Sequence, residues 1–221
     1  MAFNVAIDGP AGAGKSTIAK SVAAELNFIY VDTGAMYRAI ALYLIRNGIK
    51  ADENAKISEK CKEAQVSIQY VDGKQVVLLN GEDVNPYIRT EEVGNMASAS
   101  STNPDVRAQL LDLQRDLAAK NDVIMDGRDI GTNILPGAQV KIYLTASIEV
   151  RAKRRYNELI AKGMECDLKE IEKDIAERDE RDMNREIAPL KQAEDAVFLD
   201  TSDMGIEEVK NTIIDLIRSK Q

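Results

Sequence analysis

The chain has 221 residues, 44% apolar and 30% charged, enough for one compact domain with small insertions and a sizeable core. A net charge of −8 and a pI near 4.8 leave no overall basic field to recruit nucleic acid or an anionic membrane, so working cations must be placed locally. Histidine is absent, which excludes His triads, His general bases and His metal sites; Cys61 and Cys166 form no CxxC pattern and read as reduced thiols.

Phe3 to Ile7 is an apolar run that reads as a buried strand, entered without a leader pattern. With no run near the ~18 apolar residues a membrane span needs, a cytoplasmic protein is expected. Gly9-x-x-x-x-Gly14-Lys15-Ser16 follows with phosphate-loop spacing, and residues 15–26 put Ile18, Val22 and Leu26 on one helical stripe, closed by Asn27. Gly9, Gly12 and Gly14 let backbone N–H groups turn inward, and the helix N-terminus adds positive charge aimed at an anion. Lys15 can reach outer phosphates and the Ser16 hydroxyl can ligate Mg²⁺, so this unit is expected to bind a nucleoside triphosphate.

Phe28 to Val31 reads as a second strand, and Asp32-Thr33-Gly34 turns into a helix with Met36, Ile40, Tyr43 and Leu44 inward, ended by Asn47-Gly48. A short helix is expected over residues 50–64. Asp72-Gly73 and Asn80-Gly81 are hairpin turns, so residues 65–88 read as a small antiparallel meander inserted into a β/α alternation. Helix resumes after Thr90, and Asn103-Pro104 caps another with Val106, Leu110, Leu113 and Leu117 on its apolar stripe. Residues 122–126 and 140–144 are the third and fourth strands. Ser147 caps a basic helix bearing Arg151, Arg154 and Arg155, and Asp167-x-x-Glu170 resembles a capping box for a charged helix through Asn184. Residues 196–200 form the fifth strand, covered by a helix with Ile206, Val209, Ile213 and Leu216 inward. Five apolar strands separated mostly by helices indicate an α/β fold, a parallel sheet wrapped on both faces.

Ligands in such sheets bind beyond the carboxyl ends of the strands, where the phosphate loop, Asp32, Asp126 and Asp200 all fall. Asp126 after Val-Ile-Met suits an acid that orders water around a metal, and Asp32 rivals it. Arg128 and Asp129 sit in a glycine-containing loop at the same edge. Arg178, Asp182 and Arg185 are spaced i, i+4, i+7 and project from one helical stripe. Taken alone, Glu-Arg-Asp-Glu-Arg-Asp reads as a solvated, ion-paired helix; phosphoryl transfer, which needs guanidinium forks, favours the other reading.

Five segments carry a resemblance. Asp8–Ser16, Val31–Arg38, Ile88–Val93, Asp126–Thr132 and Glu177–Arg185 with Ala188–Leu190 are together similar to the bacterial cytidylate kinases, in order over nearly the whole chain. The resemblance implies a P-loop kinase fold with a core at approximately 1–32, 104–150 and 176–221, a monophosphate-binding insert at 33–103 and a lid at 151–175. It implies ATP with Mg²⁺ as donor on Gly9, Pro10, Ala11, Gly12, Ala13, Gly14, Lys15, Ser16 and Thr17, and CMP or dCMP as acceptor. Around the acceptor it puts Thr33, Arg38, Ser98, Arg107, Arg128, Asp129, Arg178, Asp182 and Arg185. Lys15, Arg128 and Arg178 are the expected catalytic groups, Ser16 and Asp126 the metal-side groups, and the enzyme is expected to act as a monomer. On the residues alone, a kinase for UMP, AMP or a hydroxyl acceptor, with Asp32 as base, stays open. So does a nucleotide-switched regulator.

Overall fold

The computed structural model describes residues 2–221. In chain order the elements are β1 (Asn4–Asp8), α1 (Lys15–Leu26), β2 (Ile29–Asp32), α2 (Thr33–Arg46), α3 (Asn54–Lys60), β3 (Val66–Val71), β4 (Lys74–Leu79), β5 (Glu82–Asp83), α4 (Glu91–Ser100), α5 (Pro104–Lys120), β6 (Val123–Gly127), β7 (Val140–Thr145), α6 (Ile148–Ala161), α7 (Leu168–Asn184), β8 (Val197–Asp200) and α8 (Ile206–Arg218). The expected α/β fold is observed: a five-stranded sheet of order β2-β6-β1-β7-β8, parallel throughout, beside a three-stranded antiparallel sheet β3-β4-β5.

Period-two alternation divides the core between the two faces of the sheet. Ala6, Val31, Val123 and Met125 pack with α2, α4 and α5, whereas Val5, Ile7, Ile124, Ile142 and Leu144 pack with α1 and α8. β1 sits at the centre and is buried from Val5 to Asp8, as a strand covered on both faces must be. The edge strand β8 differs, since Val197 and Phe198 are exposed. The other edge, β2, is covered by the meander. Gln75 exchanges two hydrogen bonds with the Asp32 backbone, at 2.8 and 3.2 Å, and the Tyr70 hydroxyl donates to the Tyr30 carbonyl.

Several local expectations shift. The 50–64 helix is α3 followed by a single 3₁₀ turn at Cys61–Glu63. On α5 the fully buried line runs Val106, Leu110, Gln114, Ala118, leaving Leu113 and Leu117 at its flank, because Arg107 turns toward the strand ends instead of the solvent. Asp167 caps α7 by accepting from Lys169 and Glu170 N–H. Arg185 lies one residue past α7 in extended backbone, so the i, i+4, i+7 stripe keeps only Arg178 and Asp182 on the helix. After Asp129 the chain makes a π-helical turn, Ile130–Ile134, that no periodicity announced; the buried Asp8 carboxylate holds it by accepting from Ile130 and Gly131 N–H at 2.8 and 2.7 Å.

Candidate active site

A cleft of about 590 Å³ opens at the carboxyl ends of the strands. Its walls carry nine basic and five acidic side chains, so a chain of net charge −8 presents a cationic pocket here. Ala11 through Thr17 line it, while Gly9 and Pro10 lie outside its walls. Gly9 answers to a neighbour rather than to a phosphate: a Cβ there would sit 1.9 Å from the Leu144 carbonyl oxygen. Pro10 offers its carbonyl to Lys15 Nζ at 2.8 Å.

Parallel pairing sets Asp126 between Ile7 and Asp32, directly behind the phosphate loop. Ser16 Oγ donates to Asp126 Oδ2 at 2.7 Å and the Tyr30 hydroxyl to Oδ1 at 2.9 Å. Burial, then the charge of Asp32, pushes the Asp126 carboxyl up to about 6. Burial, then repulsion from Arg128, pushes the Lys15 ammonium down to about 7. Asp32 is engaged otherwise. Its Oδ1 caps α2 by accepting from Ala35 N–H at 2.9 Å, and its Oδ2 accepts from Arg89 at 2.6 Å.

The opposite end of the cleft is built from ion pairs. Arg107 donates to Asp129 Oδ2, with both side chains buried, and Asn133 donates to the same oxygen at 3.1 Å. Arg185 Nη2 lies 3.7 Å from Asp129 Oδ1, and its Nη1 donates to Ser101 Oγ at 3.3 Å. Arg128 Nε donates to Asp182 Oδ2 at 2.9 Å. Ser98 lines this end. Thr33 Oγ1 donates to the Asp126 carbonyl at 2.8 Å, which leaves its lone pairs toward the cleft. Between the ends stand Arg38 and Arg178. Arg38 donates to the Ile88 and Thr90 carbonyls at 2.8 and 3.2 Å and lies so close to α4 that a Cβ on Gly94 would meet its Nη2 at 2.9 Å. Among the described residues the buried Nε of Arg178 meets no hydrogen-bond partner, and burial and Arg128 push its guanidinium down to about 10.

Thus every acceptor-side residue expected from the sequence meets in one cleft with the phosphate loop. Asp200 does not join them; it caps its own turn through Ser202. Sequence reasoning missed Tyr30, Arg89, Ser101 and Asp8, whose partners lie 57 to 122 residues away, or, for Ser101, 84. Their one signal was position: Asp8 falls at the end of β1.

A phosphate loop at the carboxyl edge of a five-stranded parallel sheet, facing an array of arginines across one cleft, defines a P-loop kinase. The same fold occurs in the shikimate kinase of Bacteroides thetaiotaomicron, 15% identical with a TM-score of 0.50 over 98% of each chain. The family model for cytidylate kinase matches residues 5–219. Curated relatives named cytidylate kinase, from Caldicellulosiruptor saccharolyticus and Caldicellulosiruptor bescii, are 51% and 49% identical over 97% of this chain and 95% of theirs. The chain belongs to the cytidylate kinase family.

Proposed function

We propose that the chain catalyses ATP + (d)CMP → ADP + (d)CDP, with the triphosphate on the phosphate loop and the cytosine at the Arg107–Asp129 end. The observation that carries this reading is a buried carboxylate and guanidinium side by side at the acceptor end. Cytosine presents an amino donor at N4 beside acceptors at N3 and O2. Asp129 Oδ2 is held by Arg107 and Asn133, so Oδ1 takes the amino group while Arg107 and Ser98 donate to the acceptor edge. Uracil reverses N4 and N3 and would leave buried groups unpaired, at about 1–3 kcal/mol each.

Thr33, Arg38, Arg128 and Arg185 take the monophosphate, Asp182 faces the sugar hydroxyls, and Arg178 bridges to the transferring group. The attacking phosphate oxygen is already anionic near neutral pH, so no general base is required. Asp32, which could have served a hydroxyl acceptor, has both carboxylate oxygens engaged. Rate then comes from alignment and charge stabilisation by Lys15 and the arginines. The insert, residues 33–103, and the hairpin of 151–175 close over the two nucleotides and exclude water.

The donor set suits Mg²⁺ entering with ATP. Ser16 gives its proton to Asp126 and so turns a lone pair outward, and a cation beside Asp126 relieves its crowding by Asp32. Held by Ser16 and Asp126, such an ion would spread the charge of the outer phosphates. No helix among the described residues is long and apolar enough to cross a membrane, and one chain supplies every group named, which supports a cytoplasmic enzyme acting as a monomer. A coupled assay with ATP and CMP, dCMP, UMP or AMP tests the reading. ADP release should require CMP or dCMP; release without a monophosphate, or equal release with UMP, overturns it.

A further inference from the structure

The basic helix α6 is not simply a lid. Its first turn drives Arg151 into the interior, where the side chain is 4% exposed. Nε donates to the Ala146 carbonyl at 2.8 Å, Nη1 to the Ala11 carbonyl of the phosphate loop at 3.0 Å, and Nη2 to Asp179 Oδ2 of α7 at 2.6 Å. One guanidinium therefore joins the end of β7, the phosphate loop and α7.

Two consequences follow from elementary geometry. In a trans peptide the C=O and the following N–H point in opposite directions. Gripping the Ala11 carbonyl from the α6 side therefore turns the Gly12 N–H away from α6. Arg154 does the same to the next peptide but one, donating to the Ala13 carbonyl at 3.3 Å. On α7, Asp179 immediately follows Arg178, whose Nε meets no partner among the described residues to fix it. The backbone that carries Arg178 is thus located by a bond to the phosphate loop.

We infer that Arg151 and Asp179 form a positioning pair that sets the Gly12 amide on the donor side and Arg178 on the acceptor side at once. The inference rests on the phosphotransfer reading above. Neither residue lines the cleft. Arg151 suits the task because a planar fork can hold three partners in fixed directions, which an ammonium cannot. Hinge motion of the α6–α7 hairpin then pivots beyond Arg151, and the base of the hairpin stays locked to the loop.

The test is Asp179→Asn, which keeps the volume and removes the charge. Its kcat should fall about 100-fold, the scale of a misplacement near 1 Å, with KM for ATP and CMP within about threefold of wild type. A matching fall in kcat with tighter or unchanged nucleotide binding by titration supports positioning; an unchanged kcat with a lowered melting temperature overturns it. Hydrogen exchange on the wild-type protein gives an independent reading should the variant not fold. Inorganic tripolyphosphate, which engages only the loop, should slow exchange at the amides of residues 175–182. No slowing there while residues 11–16 are protected overturns the proposal. An inactive wild type would instead refute the phosphotransfer reading.

Discussion

The two ends of the cleft hold their cations in different ways. At the phosphate-loop end the cleft cations Lys15 and Arg154 donate to the backbone carbonyls of Pro10 and Ala13, and behind the wall Arg151 holds the Ala11 carbonyl while paired with Asp179. At the acceptor end Arg107 and Arg128 are paired with Asp129 and Asp182. A carbonyl held from behind leaves a row of amides for any triphosphate, a generic anion cradle with little power to discriminate. A buried ion pair costs desolvation and adds little net stability, but it presents a fixed pattern of donors and acceptors that a wrong base leaves unmatched. On the proposed phosphotransfer reading, the contrast assigns affinity for the shared donor to one end and choice of acceptor to the other.

Changes that should separate the ends range from large to small. Lys15→Ala removes a cation common to every acceptor, so turnover should fall by about 1000-fold with CMP and with UMP alike in the coupled assay. A fall confined to one monophosphate would mix the roles of the two ends. Asp129→Ala should lower the ratio of kcat/KM for CMP over UMP by about 30-fold while KM for ATP stays put. Preserved selectivity would remove Asp129 from base reading.

The smallest effect is protonic. Lys15 in the free protein is held down at about 7, and a bound triphosphate restores its charge. The bound value is the higher one, so binding takes up a proton between the two. At pH 8 calorimetry in buffers of different ionisation enthalpy should find about one proton taken up per ATP; at pH 6 that uptake should vanish and, with Mg²⁺ present, turn into release from Asp126, whose carboxyl sits at about 6 in the free protein. The Lys15 contribution to affinity should be full below pH 7 and weaken above it. Uptake that persists in Lys15→Ala would point to another group.

Legibility followed sequence distance. The phosphate loop, the helix starts after Asp32 and Thr90, the caps Asn103 and Ser147, and the hairpins at Asp72-Gly73 and Asn80-Gly81 were readable because each acts within a few residues. The segment 177–185 was not readable from its charges. Glu177, Glu180 and Arg181 are exposed as a solvated helix requires, while Asp179 and Asp182 between them are buried. Both kinds of position carry charged residues, so periodicity of polarity has nothing to detect; the resemblance, not the pattern, singled out Arg178 and Asp182. Arg151 and Arg154 were equally opaque, since a basic helix looks the same whether its arginines face water or a loop 140 residues away.

The parallel α/β sheet, the triphosphate cradle and the strand-end acids follow from local rules written into short stretches: alternation, glycine spacing and capping chemistry. Which charge meets which was decided by the tertiary structure. Strand order brings Asp126 between β1 and β2, packing turns Arg107 toward Asp129, and the α6–α7 hairpin delivers Arg151 to both Ala11 and Asp179. The reason is physical: a hydrogen bond or ion pair is fixed by separation in space, and burial makes those separations binding by removing the water that would otherwise satisfy each charge.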